Sequence, residues 1–279
     1  MATVVNNVLN TKVVPHAQWV EARKKLLAKE KEFTRLRDEL SRSRRALPCE
    51  RVDKEYVFEG PRGKEKLADL FRGRSQLIVY HFMFGPGWKE GCPSCSFLAD
   101  TFDGAAVHMA QRDVTFVAIS RATLPEIQAF QKRMGWRFKW LSSFGSDFNF
   151  DYQVSTGKEE PGKSQVYYNY ELTEFPSEER PGLSVFHKNE NGETFHTYST
   201  YARGLDILLT AYNFLDMTPK GRDEEGMKPH AMAWVRHHDR YGNSSVASCC
   251  AGEQNAQASS LPKLVVDEFH DEVRPLDES

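Results

Sequence analysis

Cysteine is scarce in this chain: there are 5 in 279 residues, at positions 49, 92, 95, 249 and 250. An odd, sparse set does not describe a disulfide framework, so a reducing compartment, the cytoplasm, is the expectation. Long hydrophobic runs are missing as well. The longest, from Leu77 to Phe84, falls far short of the roughly 20 apolar residues that span a bilayer. Charge of one sign is not in excess, since 37 basic residues against 39 acidic give a net charge of −2. A dedicated nucleic-acid binder needs a basic face to displace counterions from phosphate, and this balance does not supply one. The opening residues MATVVNNVLNTKVV lack the basic and apolar regions of a secretory leader. Neither nucleic acid nor a membrane is an expected partner, secretion is not expected, and no internal repeat is present.

What is there is a globular composition, 40% hydrophobic and 27% charged, which suits a core with polar extensions. Residues 16–46 predict one long helix. Trp19, Leu26, Phe33 and Leu40 recur every seven residues, with Ala22 and Leu36 at helical spacing and charged residues on the other faces. Such a stripe docks on the domain or on a second subunit, so a homodimer through this helix is open to the chain. The basic end, Ser41 to Arg45, suits the negative pole of the helix. The chain divides into an extension over 1–51, a domain over 52–241, and a tail over 242–279 whose small polar residues predict disorder.

Within the domain, strands alternate with helices, which predicts a layered α/β fold. Leu77–Phe84 and Val114–Ser120 read as strands buried on both faces, with one amphipathic helix over 94–112 between them. A helix over Leu124–Met134 follows, punctuated by Pro125 and Gly135, and then a short strand over 138–142. Residues 145–180 are polar and broken by Gly157, Pro161, Gly162 and Pro176, and read as an excursion rather than core. Leu183–Lys188 and Glu193–Tyr198 form a hairpin across an Asn189-to-Gly192 turn. A closing helix covers 204–215, and a segment over 231–241 packs back as a further helix.

The string Gly85-Pro-Gly-Trp88-Lys-Glu-Gly91-Cys92-Pro93-Ser94-Cys95 carries the chemistry. It follows a buried strand and opens a helix. Cys92 and Cys95 share one helical face, close enough to form a disulfide. Cys92 at the helix start gains from unpaired N–H groups and the dipole, which stabilise a thiolate and mark it as the nucleophile. Cys95, one turn in, is shielded and becomes the resolving thiol, and Pro93 costs nothing early in a helix. Half of a zinc site looks the same, but neither Cys249-Cys250 nor the histidines at 187, 196, 237 and 238 show ligand spacing. A CxxC at a strand-to-helix junction in a βαβ unit is instead a thioredoxin-like redox signature. His81 reads as a hydrogen-bonded core histidine and Cys49 as structural.

The strand–CPSC–helix unit, Pro181 and the hairpin together resemble the thioredoxin-like superfamily. More closely, GCPSCSF, FVAISRA, PGLSVF and FHTYSTYARGLD resemble the bacterial and fungal proteins grouped as domain of unknown function 899. These are described as predicted dithiol–disulfide oxidoreductases, and the likeness covers about 15–241. The resemblance implies a thioredoxin-like central sheet flanked by helices and a cis Pro181 facing the dithiol, a trans proline opening a strand being the alternative. Trp88 lies four residues before Cys92 rather than beside it, a departure from thioredoxin that changes the surface next to the dithiol. Arg203 and its neighbours Tyr198 to Tyr201 either line the pocket, where the arginine depresses the thiol pKa, or cap the closing helix. The expected activity is thiol–disulfide exchange without metal or organic cofactor, on a protein or small-molecule disulfide, with electrons from an unidentified cellular reductant. Two rivals stand beside it: a thiol peroxidase of the peroxiredoxin kind, and a non-catalytic interaction module.

Overall fold

The structure is a computed structural model that describes residues 12–156 and 165–242. The expected tail from 243 onward, with Cys249 and Cys250, lies outside the described residues. Helix α1 spans His16–Arg45, ends in Arg42, Arg44 and Arg45, and buries none of its residues. After it come β1 (Glu50–Arg51), β2 (Val57–Gly60), β3 (Gly63–Lys66) and β4 (Gln76–His81). Helices α2 (Pro93–Ala99) and α3 (Phe102–Ala110) lead to β5 (Val114–Ser120), α4 (Leu124–Met134) and β6 (Lys139–Ser142). Then follow α5 (Phe148–Asp151), β7 (Val166–Tyr168), β8 (Glu171–Thr173), β9 (Gly182–Lys188), β10 (Thr194–Tyr201) and α6 (Thr210–Leu215).

One eight-stranded sheet runs in the order β1-β10-β9-β4-β5-β6-β2-β3. β4 pairs with β5 in parallel and β5 with β6 likewise. β9 joins the other side of β4 antiparallel, and β10 joins β9 antiparallel. A parallel βαβ unit whose first strand accepts a returning hairpin is the thioredoxin-like arrangement that the sequence predicts. The strand after which the CPSC string begins is therefore central, flanked by β5 and β9. That position explains its apolar run, because both faces of β4 are covered. Tyr80 and Phe82 pack under α2, α3 and α4 with Cys95, Leu98, Phe102 and Phe130. Leu77 and Val79 face the opposite layer with Phe58, Phe71, Phe148 and Phe186.

Local sequence sets the ends of these elements. α4 opens with a capping box in which Glu126 accepts from the Thr123 backbone and hydroxyl, both at 2.8 Å, and closes on Gly135 at φ 67°, where the sequence predicts its end. The single helix expected over 94–112 breaks at Asp100 and Thr101 into α2 and α3, whose junction the Trp136 indole ties down through Asp100 at 2.8 Å. The closing helix begins as a 3-10 turn over Ala202–Leu208 before α6.

The expectation for 145–180 is corrected for part of the segment. Phe148 is fully buried, and Tyr152, Val154 and Tyr168 are buried as well. Glu179, buried, accepts from Arg121 at 2.8 Å and from Ser155 at 2.6 Å. The Arg180 guanidinium lies over the Tyr168 and Phe175 rings. Phe148 to Ser155, Tyr168, Glu179 and Arg180 thus pack into the body of the domain, whereas Tyr167, Tyr170 and Leu172 of β7, β8 and their turn are exposed. The 231–241 segment does pack back, but as extended chain and 3-10 turns over Ala231–Trp234 and His238–Arg240.

Candidate active site

The chain leaves β4 and returns to the sheet layer at Cys92, whose N–H donates to the Met83 carbonyl at 3.0 Å. Gly91 passes between two rings: a Cβ there would meet Phe82 and Phe130 carbons at 2.6 and 2.8 Å, so only glycine fits the approach. His237 from the returning segment fixes the same point, its Nε2 lying 2.9 Å from the Gly91 carbonyl oxygen. Arg240 and Arg133 pair with the neighbouring Glu90. The loop before the dithiol is thus clamped from both sides.

Cys92 is the N-cap of α2 and Pro93 occupies its first turn, as the sequence predicts. Cys92 is half-buried, Cys95 is buried, and both are free thiols. Their environments differ in sign. The Cys95 thiol donates a hydrogen bond to the Cys92 sulfur, and the Cys95 and Ser94 backbones and the Ser94 side chain add to it, so that Cys92 is lowered to about 7 against the cost of burial. Cys95 is pushed well above the ordinary thiol range by burial and by its hydrogen bond to Cys92. The Tyr80 hydroxyl donates to the Cys95 sulfur and works the other way, while burial raises Tyr80 itself well above 10.0. Tyr80 is therefore a donor at neutral pH and not a base.

Cys92 and Cys95 open onto a cavity of about 470 Å³ whose walls include Tyr80, Leu98, Phe175, Pro181, Leu205 and Met232. Of the residues singled out in sequence, Cys92, Cys95, Pro181 and Arg203 meet at this cavity. Trp88 does not: its indole folds over Gly85, where a Cβ would stand 2.8 Å from Nε1. Pro93 is exposed and starts the helix without lining the cavity.

Pro181 faces the dithiol cavity, yet its peptide bond is trans; among the described residues the cis bond is Lys228–Pro229. The physical reason lies in the flanking ladder. Arg180 donates its N–H to the Val154 carbonyl at 2.8 Å, and Gly182 already pairs with His81 and Tyr201. The chain therefore passes extended through the proline into β9. The Pro181 carbonyl accepts the Tyr168 hydroxyl at 2.6 Å, which secures the cavity wall.

Arg203 stands at the rim with its side chain 86% exposed and paired to Asp206 at 2.8 Å. The causes of the lowered Cys92 are the neighbouring thiol and α2 itself, not this arginine. Cys49, expected to be structural, is exposed instead. His81 is the core histidine expected, 2.8 Å from the Ser184 hydroxyl and on the sheet face away from the dithiol. Tyr80 and Phe175, which sequence reasoning missed, come from a uniformly apolar strand and from the presumed excursion. Among the described residues no three His, Cys, Asp or Glu side chains gather where a metal could sit, and no helix is long and apolar enough to cross a membrane.

Comparison with known proteins places the chain in context. The family described as "Bacterial protein of unknown function (DUF899)" matches residues 8–241. No curated protein matches. Among solved structures, the chain is similar to Xanthomonas campestris peroxiredoxin Q at 12% identity, with 59% of this chain and 95% of that chain covered and a TM-score of 0.42. It is also similar to the peroxidoxin BcpB from Mycobacterium tuberculosis, at 13% identity, 59% and 94% coverage and a TM-score of 0.38. The mitochondrial 2-cys peroxiredoxin from Plasmodium falciparum gives 13% identity, 60% and 92% coverage and a TM-score of 0.36. The strand order and directions described above, not these distant likenesses, carry the fold assignment.

Proposed function

The chain belongs to the DUF899 family of bacterial proteins, and from the site this member carries we propose that it is a thiol–disulfide oxidoreductase, with Cys92 the nucleophile and Cys95 the resolving thiol. The observation that carries the reading is the asymmetry of the pair. Cys92, lowered to about 7, is roughly half ionised at neutral pH, whereas Cys95 is held protonated beside it. One sulfur is ready to attack and the other is kept back.

In the first step the Cys92 thiolate attacks one sulfur of a substrate disulfide. A Cys92–substrate S–S bond forms, the substrate's own S–S bond breaks, and the departing sulfur leaves as a thiolate that takes a proton from water. That bond removes the charge from Cys92, and with it the hydrogen bond and repulsion that hold Cys95 protonated. Burial still opposes ionisation, but the Tyr80 hydroxyl and the Met83 backbone now favour the Cys95 thiolate unopposed by Cys92. Cys95 releases its proton to water and attacks the Cys92 sulfur, and the second substrate thiol leaves. The pair ends as a disulfide, the substrate as two thiols, and a thiol reductant returns the pair to its starting state. No metal or organic cofactor enters.

The test is a titration of the purified protein in graded glutathione buffers, with free thiols alkylated and the peptide holding both cysteines weighed. The expected result is reversible loss of both alkylation sites together, with a midpoint within the range of dithiol enzymes, about −120 to −270 mV. Thiols that stay alkylatable at every potential would sink the reading. Given hydrogen peroxide and a thiol donor instead, steady consumption of peroxide would move it to a thiol peroxidase, in which Cys92 passes through a sulfenic acid.

A further inference from the structure

Helix α1 carries an apolar stripe that none of the described residues covers. Trp19, Leu26, Phe33, Leu36 and Leu40 are 53, 51, 67, 56 and 51% exposed, and no residue along the 30-residue helix is buried. Its tie to the domain lies at one end, where the Arg44 guanidinium stands 5.6 Å over the Tyr198 ring. A solvated helix keeps large apolar side chains in line when something packs on them.

The sequence along the stripe says what that is. Trp19, Leu26, Phe33 and Leu40 occupy one core position of a seven-residue repeat, and Ala22, Lys29, Leu36 and Ser43 occupy the other. On one flank of this seam lie Lys25, Glu32 and Glu39; on the other lie Arg23, Glu30, Arg37 and Arg44. In a parallel pair of helices, each residue of the first flank meets the residue five positions on in the second flank of the partner. The pairs are then Lys25 with Glu30, Glu32 with Arg37, and Glu39 with Arg44, and each joins opposite charges. An antiparallel pair sets each flank against itself, and the mostly cationic second flank repels.

We propose that this stripe is the seam of a parallel two-stranded coiled coil between two copies of the chain, in register. Lys29 interrupts the seam opposite its own copy. Its stem lies along the apolar surface while the ammonium reaches water, at a cost in stability. Such polar core positions fix register. The proposal stands independently of the redox reading, since it uses none of the cavity residues.

The experiment is sedimentation of the full chain under reducing conditions over a wide range of concentration, with two charge-neutral variants. The first, Lys25→Glu with Glu32→Lys, reverses one flank. The second, Glu30→Lys with Arg37→Glu, reverses the other. All four positions are exposed, so folding is preserved, and far-UV circular dichroism checks it. The wild-type chain is expected to dimerise, and each variant alone to associate about tenfold more weakly or worse. An equimolar mixture of the two variants restores every attractive pair, so it is expected to regain wild-type affinity as a heterodimer. Leu26→Asp with Phe33→Asp is expected to give a monomer. A wild-type monomer at every concentration, a dimer that the reversals leave unchanged, or a mixture that fails to recover each overturns the proposal. The first of these would mean that the chain's own remaining residues, or another protein, cover the stripe.

Discussion

Replacing Tyr80 by phenylalanine isolates the one hydrogen bond that favours the resolving thiolate from a side chain. The ring is 1% exposed and packs edge-on against Phe82 and Phe102, with centroids at 6.0 and 5.1 Å. Phenylalanine keeps those contacts and removes only the hydroxyl that reaches the Cys95 sulfur. A hydrogen bond to a charged group contributes about 1.5–3 kcal/mol, which at 1.36 kcal/mol per pKa unit lifts Cys95 by roughly 1–2 units. The thiolate fraction then falls roughly 10- to 100-fold, but a more basic thiolate is the better nucleophile, with a Brønsted slope of about 0.4–0.5. The two effects partly cancel, and the net slowing of the resolving step is roughly 3- to 16-fold. The assay is a single turnover with a small aromatic disulfide, quenched in acid, in which the mixed disulfide on Cys92 is followed by mass. In the variant that intermediate should persist longer at neutral pH, and the difference should close as rising pH ionises Cys95 in both proteins. Attack by Cys92 should be unaffected, with its alkylation by iodoacetamide still rising through pH about 7. Equal slowing of both steps, or no change in the second, refutes the assignment of Tyr80.

Cys95→Ser should trap the mixed disulfide on Cys92, whereas Cys92→Ser should form none. Because the Cys95 thiol is the largest cause of the lowered Cys92, Cys95→Ala should also move the alkylation midpoint upward from about 7 toward the ordinary thiol value. His81, fully buried, is lowered to about 3 by burial and, to a lesser extent, by His196. The unfolded chain therefore binds a proton near 6.5 that the folded chain refuses, so stability is complete above that pH and is lost as pH falls toward 3. Between pH 6.5 and 5 the loss from this residue should be about 2 kcal/mol; urea unfolding that is flat over that interval would contradict the burial argument. Phe148→Ala should cost about 3–5 kcal/mol, since the ring is fully buried among Tyr56, Phe58 and Tyr152. The same change at exposed Tyr170 should cost far less in the same urea titration.

The parts of the fold that sequence made legible were those governed by neighbours along the chain. α4 was bounded by Pro125 in its first turn and Gly135 after its end, and the structure places both there. The hairpin of β9 and β10 was announced by the turn at Asn189–Gly192 and by alternation on either side. The dithiol was legible for the same reason: a nucleophile at the N-cap and its partner one turn on are a local relation, fixed once α2 forms. The break between α2 and α3 was not, because it depends on Trp136, far along the chain, reaching Asp100. Residues 145–180 misled because the segment mixes an exposed hairpin, with Tyr170 and Leu172, and buried groups such as Phe148 and Glu179. Glu179 with Arg121 and Ser155 is a buried cluster whose members are scattered in sequence, and composition alone cannot distinguish it from a solvated loop.

The strand that leads to the dithiol shows the limit most sharply. In a strand covered on one face, alternation of apolar and polar residues tells which side chains point inward. β4 is covered on both, so Leu77 to His81 is almost uniformly apolar and the period is silent about parity. Yet parity decides the chemistry here. Tyr80 and His81 are adjacent; one donates to the Cys95 sulfur, while the other lies beneath Phe148 and Tyr152 on the opposite face. Shifting the strand by one residue would exchange them and set an imidazole beside the resolving thiol in place of a phenol. The imidazole could take the Cys95 proton, which the phenol, with its pKa raised, cannot. What fixes the choice is the register with β5 and β9, where Tyr80 lies opposite Ala118 and Leu183. The environment that separates two chemically identical thiols is therefore set by pairings of the sheet that no single segment of the sequence contains.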